Sequence, residues 1–314
     1  MNRRDILKLS TLGAFSTLLL GPSQAALVPP QFLDCVVALG FSGPGIVKGV
    51  PVNKMWHTIG TGFFYGQLMK DDPEVAKRVY SSYLVTAKHV IDGYNNMKKQ
   101  NAQLSSLRIR INPTDTTAVG TEFDLLSDVA NNGTQWINNP HDRDVSVISV
   151  NLNSLRDKKY KYAFFASDIF AAKIDKLRDG GVSAGDGVFV LGFPMDLAGI
   201  ERNYVIARQG VIARISEIID KASDSFLIDS FVFPGNSGGP VLLKPDLTSI
   251  EGTKSQLKSY LIGLVVESVE YTDTAMSQQT GRARISFEEN SGLAIVLPVD
   301  YIEETVLADP LIGK

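Results

Sequence analysis

"FPGNSGGPV" occupies residues 233–241 and sets Ser237 among three glycines and between two prolines. A serine hydroxyl is a poor nucleophile at neutral pH. It reacts only with a base beside it and with donors waiting for the oxyanion that forms on attack. Neighbouring glycines let backbone N–H groups approach a substrate closely, because no Cβ intervenes. The stretch is therefore either a tight turn or the display of a nucleophile, and the histidines discriminate between the two.

"GNSGG" also fits the G-x-S-x-G elbow of α/β-hydrolases, in which the histidine follows the serine. The chain has three histidines, His57, His89 and His141, and all precede Ser237. Chain order therefore excludes the elbow and leaves the order His…Asp…Ser. His89, in "LVTAKHV" (84–90), is predicted at the end of an apolar strand. His57 reads as structural or surface, and His141, in the polar "NNPHDRD", as a loop residue. Asp142 and Asp144 both lie near. Asp144 opens the alternating "DVSVISV" and so has a backbone fixed by sheet pairing, which suits a carboxylate that must hold an imidazole. Lys88 would lower the pKa of His89 if its ammonium came close. A cysteine hydrolase using Cys35 and His141 is disfavoured: Cys35 sits in the apolar run "CVVALGF", the setting of a buried small hydrophobe.

The 314 residues suit one large domain or two small ones. A dozen or so short apolar runs lie between glycine-rich turns, without the strand–helix alternation of a parallel sheet. This predicts an all-β chain of sandwich or barrel type. Residues 42–53 read as a loop. Residues 156–181, polar and least strand-like, read as a linker between an N-terminal unit (26–155) and a C-terminal one (182–303). Residues 304–314 form a closing tail or helix. Segments 67–81, 92–106, 113–140, 244–258 and 269–289 read as large loops.

Net charge of −3 makes a nucleic-acid partner unexpected. A single cysteine permits no internal disulfide, and the scattered histidines give no zinc spacing, so no metal or cofactor is expected. The first 25 residues read as an export signal. Arg3, Arg4 and Lys8 precede a short apolar core, and small residues end at Ala25, with the paired arginines of the twin-arginine type. Cleavage near Ala25 removes three cations and one anion, which takes the charge from −3 to −5. The mature chain, with no membrane span, is expected in the periplasm or secreted from a bacterium.

Taken together, "TAKHV", "DVSVI" and "PGNSGGPV" resemble the three active-site motifs of trypsin-like serine proteases, and specifically of the bacterial HtrA/Deg-type branch. "GTGFFYG", "LGFPMDLAG", "QGVIARIS", "IGLVVES" and "GLAIVLP" match in order, so the resemblance spans roughly residues 33–303. It implies two six-stranded antiparallel β-barrels of the chymotrypsin fold with a short C-terminal helix. It also implies a serine endopeptidase acting on protein or peptide substrates through Ser237, His89 and Asp144, with an oxyanion hole from the N–H groups of Gly235 and Ser237. A catalytically silent scaffold on the same barrels is the alternative. Asn236 stands where digestive relatives carry the aspartate that pairs with a newly cut N-terminus, so activation by that route is not expected. Phe231, Val266, Glu267 and Gly292 are expected to line the substrate pocket. No acid is expected at its base, so cleavage after Lys or Arg is not expected and a small or medium apolar residue is preferred. The family's usual C-terminal PDZ domain is not expected in the short stretch after Pro298. The oligomeric state is not specified by these motifs.

Overall fold

The computed structural model describes residues 27–47, 49–131, 134–246, 256 and 258–312. The export signal expected over residues 1–25 lies outside them. Two β systems follow one another along the chain. The first comprises β1 (Val36–Val47), β2 (Val50–Lys70), β3 (Val79–Thr86), β4 (Arg108–Ile111), β5 (Thr121–Asp124), β6 (Ile137–Asn138), β7 (Ser146–Ser149) and β8 (Phe165–Ala166). Their order is β5-β4-β1-β2-β3-β7-β6, with β8 added alongside β2. The second comprises β9 (Gly187–Gly192), β10 (Ile206–Arg214), β11 (Phe226–Asp229), β12 (Pro240–Leu243), β13 (Tyr260–Met276) and β14 (Ala283–Pro298). These close into an antiparallel barrel in the order β10-β11-β14-β13-β12-β9.

The mostly-β chymotrypsin arrangement is thus present, but the N-terminal sheet departs from six antiparallel strands. Among the described residues it has eight, and β2–β8 is a parallel pair in which Tyr65 faces Phe165 and Gly66 faces Ala166. Period-two alternation directs the side chains. In β11, Phe226 and Ile228 are buried while Asp229 faces out. Val188, Ile228, Val241, Ile262 and Val296 fill the C-terminal barrel. The larger N-terminal core gathers Phe32, Phe63, Tyr83, Phe165 and Leu155.

Among the described residues six α-helices decorate the sheets: α1 (Pro30–Leu33), α2 (Lys88–Gln100), α3 (Asn153–Asp157), α4 (Ile174–Gly180), α5 (Ser216–Ile219) and α6 (Val299–Leu307). α2 lies where a loop was expected over 92–106. It buries Val90, Ile91 and Tyr94 along one face and carries Lys98 and Lys99 at its C-terminal end, where cations favour the helix dipole. Two further expected loops are strands. β1 and β2 pair as far as Val47↔Val50, through the expected loop at 42–53. β13 and β14 stay paired from Glu270↔Asn290 to Met276↔Ala283, within the expected loop at 269–289. Residues 42–47, SGPGIV, read as a turn rather than a strand, and the exposed Tyr271, Ile285 and Phe287 of the second arm bury no apolar face, so neither arm carries a core signal.

Residues 156–181 hold β8 and α4 and lie against both halves. Within this segment Ala172 N–H donates to Leu261 C=O (2.9 Å), and Leu261 N–H donates to Phe170 C=O (2.7 Å). α6 returns to the N-terminal core, placing Val299, Ile302 and Val306 in it, and Tyr83 OH donates to Asp309 Oδ2 (2.9 Å) just beyond. No helix among the described residues is long and apolar enough to cross a membrane.

Phe165 is fully buried, edge-on to Phe32 (4.9 Å) and Phe63 (5.7 Å). Phe165→Ala should therefore destabilise the chain by about 3–5 kcal/mol in denaturant unfolding.

Candidate active site

His89 is the second residue of α2, not the end of a strand: β3 stops at Thr86 and Ala87 begins the turn into the helix. Asp144 lies two residues before β7. Its carboxylate engages His89 twice, accepting from the backbone N–H (2.8 Å, Oδ1) and meeting ring Nδ1 (2.6 Å, Oδ2). An ionised carboxylate only accepts, so Nδ1 carries the hydrogen and Nε2 is left as the basic nitrogen. Among the described residues Nε2 has no hydrogen-bond partner.

The bond to Asp144 is the largest influence on His89 and raises its pKa above the ordinary imidazole value. Burial opposes this, and the charges of Asp144, Glu267 and Asp92 add to it. Lys88 does not play the expected part. Its ammonium is ion-paired with Asp142, whose backbone adopts a left-handed φ of 58°. The two neighbouring aspartates thus divide the work, Asp144 on the imidazole and Asp142 on the adjacent cation.

Ser237 is brought to the same place by backbone contacts. Its carbonyl accepts from Thr61 N–H (3.0 Å). A Cβ on the next residue, Gly238 (φ +82°), would lie 2.2 Å from Thr86 Oγ1 and 2.9 Å from Ala87 N, so the serine turn packs directly on the entry to α2. Ser237 Oγ makes a long contact of 3.5 Å to the Val266 carbonyl. Rotation about one side-chain bond redirects it.

The turn before the serine has a definite shape. Gly235 adopts φ +98°, and a Cβ there would lie 2.4 Å from Phe193 O, so only glycine fits. Its carbonyl accepts from Thr61 Oγ1 (2.6 Å), and Phe193 N–H donates to that same hydroxyl (3.1 Å). Pro234 C=O accepts from Met195 N–H (2.7 Å), and Asn236 C=O from Gly239 N–H (2.8 Å). With these carbonyls engaged, the N–H groups of Gly235 and Ser237 donate to no acceptor among the described residues. Two such free donors beside a serine are what an oxyanion requires.

Asn236 turns inward and is 2% exposed, with Nδ2 unpartnered among the described residues. The four expected pocket residues fall beside this loop. Val266 is buried, with its carbonyl at Ser237, and Glu267 is exposed on β13. Phe231 is 53% exposed, close to the α-carbon of Gly292 and stacked on Phe233 (6.4 Å between ring centroids).

The other histidines are occupied elsewhere. His57 Nε2 lies 2.9 Å from Pro44 O, and its ring stacks on Phe41; His141 faces Glu304 (3.3 Å) on α6. Cys35 is buried, and burial pushes its thiol pKa well up, which removes the thiolate a cysteine hydrolase needs. Among the described residues no group of three or more His, Cys, Asp or Glu side chains is placed to hold a metal. Thr61 is the residue that the sequence did not single out. Its flanking glycines in "GTG" mark a close approach, but nothing in the stretch says to what.

The family model described as "Trypsin-like peptidase domain" matches residues 60–246, more than half of the chain and the whole segment from Thr61 to Ser237. A solved structure titled as the Rv3671c protease in its inactive form is similar to this chain at 15% identity with a TM-score of 0.39, covering 90% of this chain and 91% of that one. No curated protein matches the chain.

Thr61→Val would strand the buried Gly235 C=O and Phe193 N–H, and an unsatisfied buried group costs about 1–3 kcal/mol. Thermal or denaturant unfolding should therefore show a loss of that size or larger for Thr61→Val, and near-native stability for Thr61→Ser, which keeps the hydroxyl.

Proposed function

This chain belongs to the trypsin-like peptidase family, and we propose that it is an exported serine endopeptidase of the HtrA/Deg type. The observation that carries the reading is that two features pack beside each other at the entry to α2. A histidine is held at two positions by one carboxylate, and a serine follows a turn whose two adjacent N–H groups are free among the described residues.

In this reading His89 Nε2 takes the Ser237 proton as Oγ attacks the scissile carbonyl, and the imidazolium later gives that proton to the leaving amine. Asp144 fixes the tautomer and stabilises the charged ring. The Gly235 and Ser237 N–H groups receive the oxyanion; one such donor is worth about 3–4 kcal/mol in the transition state. The acyl-enzyme is then hydrolysed by the same groups. The free donors favour a site competent at rest, and the buried neutral Asn236 favours one that needs no newly cut N-terminus as an ion-pair partner. The amino-terminal leader supports export to the periplasm or beyond, and Phe231 in place of an acid supports substrates with an apolar residue before the scissile bond.

A fluorophosphonate distinguishes this reading from a silent scaffold. The folded wild type should take up one label, on Ser237, and Ser237→Ala none. A folded wild type that stays unlabelled contradicts the reading.

The raised His89 pKa sets the acid limb. The base must be neutral, so labelling should fall as pH drops through a midpoint above the free-imidazole value of about 6.5. Asp144→Asn should depress labelling by about 10⁴-fold, as expected when the wrong tautomer is held.

A further inference from the structure

We propose that Asp196 is a positioning residue of the oxyanion site: its carboxylate, bonded to β2, holds the turn at residues 194–197 where the Met195 N–H keeps the Pro234 carbonyl facing away from the serine. The proposal rests on the peptidase reading above.

The N–H and C=O of one trans peptide point in opposite directions. The bond from Met195 N–H to Pro234 O (2.7 Å) therefore also fixes the direction of the Gly235 N–H. If that carbonyl is released, the Pro234–Gly235 peptide can turn over and one oxyanion donor is lost.

What holds Met195 in place is unusual. Met195 (φ 53°, ψ 35°) and Asp196 (φ 57°) are successive non-glycine residues in the left-handed region. L-residues occupy that region at a cost, and such strain persists only where surrounding contacts over-determine it. Buried Phe193, Pro194 and Ala198 anchor the ends of the turn, but the side chains of Met195 and Leu197 are 49% and 53% exposed, so packing does not fix the left-handed pair between those ends. Two bonds remain. Leu197 N–H donates to Pro194 O (2.9 Å) within the turn, and Thr58 N–H donates to Asp196 Oδ1 (2.8 Å) from the other β system. Thr58 is itself anchored, because its hydroxyl accepts from the indole N–H of buried Trp56 (2.9 Å). Asp196 is thus the side chain that ties the strained turn to the N-terminal sheet, and through Met195 it orients a donor that it does not touch.

The test is labelling of the full chain over a range of fluorophosphonate concentrations. This separates the limiting rate from the half-saturating concentration. Asp196→Gly keeps, and eases, the left-handed backbone but removes the acceptor. Asp196→Asn keeps an Oδ1 acceptor and a residue type that tolerates left-handed φ. Loss of one oxyanion donor lowers turnover by about 10²–10³-fold, so partial loss of its orientation should lower the limiting rate of Asp196→Gly by about 10-fold or more, with the half-saturating concentration within about twofold. Asp196→Asn should label near the wild-type rate. A purely structural role for Asp196 would leave the glycine variant as fast as wild type, and that result overturns the proposal. Asp196→Ala should fall with the glycine variant; if it does not fold, the Gly/Asn pair decides. A wild type that is not labelled overturns the peptidase reading and this proposal together. A labelled wild type with an equally fast Asp196→Gly overturns only this proposal.

Discussion

The buried hydroxyl and backbone of Thr61 join the two β systems at the serine turn. Its N–H donates to the Ser237 carbonyl, its Oγ1 donates to Gly235 C=O and accepts from Phe193 N–H, and its own carbonyl accepts from Thr86 Oγ1 (2.8 Å). One residue of β2 therefore touches the turn carrying the serine, the strand end leading to His89, and the segment leading to Met195. Each of these groups would be an unsatisfied buried donor or acceptor without its partner, which is the costly state for backbone polar groups. The close approach explains why the serine stretch is so rich in glycine: Gly235 and Gly238 lie where a Cβ would collide with backbone or hydroxyl atoms of Phe193, Thr61 and Thr86.

Charge around the histidine is arranged with the same economy. Three ionisable residues follow one another closely at 142–144, and each has a different partner: Lys88 for Asp142, Asp224 and Glu304 for Arg143, and His89 for Asp144. Arg143 also lies over the Tyr301 ring (3.9 Å) on α6. The loop that presents Asp144 is thereby held from both sides, and the cation nearest in sequence to the imidazole is neutralised before it can depress the imidazole's pKa. The helix contributes as well. Placing His89 in the first turn of α2 gives its own N–H to Asp144 Oδ1, a donor that the interior of a strand would have spent on a neighbouring strand.

Much of this was legible in the sequence where chemistry restricts residue type. A glycine-crowded serine, a histidine upstream and an aspartate heading an alternating run stand out because few residue types suit a nucleophile, a base and an orienting acid. Less legible were features set by partners distant in the chain. "AKHVIDGYNN" has a helical face in Val90, Ile91 and Tyr94, but the apolar run before it reads as a continuing strand. The long arms of β1–β2 and β13–β14 read as loops because neither buries an apolar face, although Tyr271, Ile285 and Phe287 alternate there as strand residues do. "FPMD" gives no sign that Met195 and Asp196 adopt left-handed backbone, since neither is a glycine. Nor does "GTG" show which carbonyl Thr61 will meet. In both cases the deciding contact is more than a hundred residues away.

In the proposed peptidase, Thr61 and Met195 hold the backbone of residues 234–237 in the shape an oxyanion needs. A crystal structure of the chain phosphonylated on Ser237 tests this most directly. The phosphonyl oxygen should lie about 2.7–3.1 Å from both the Gly235 and Ser237 nitrogens. The Thr61–Gly235 and Met195–Pro234 bonds should be intact and the loop unmoved. A Pro234–Gly235 peptide turned over relative to the resting structure, or an oxygen pointing to solvent away from both donors, would contradict it.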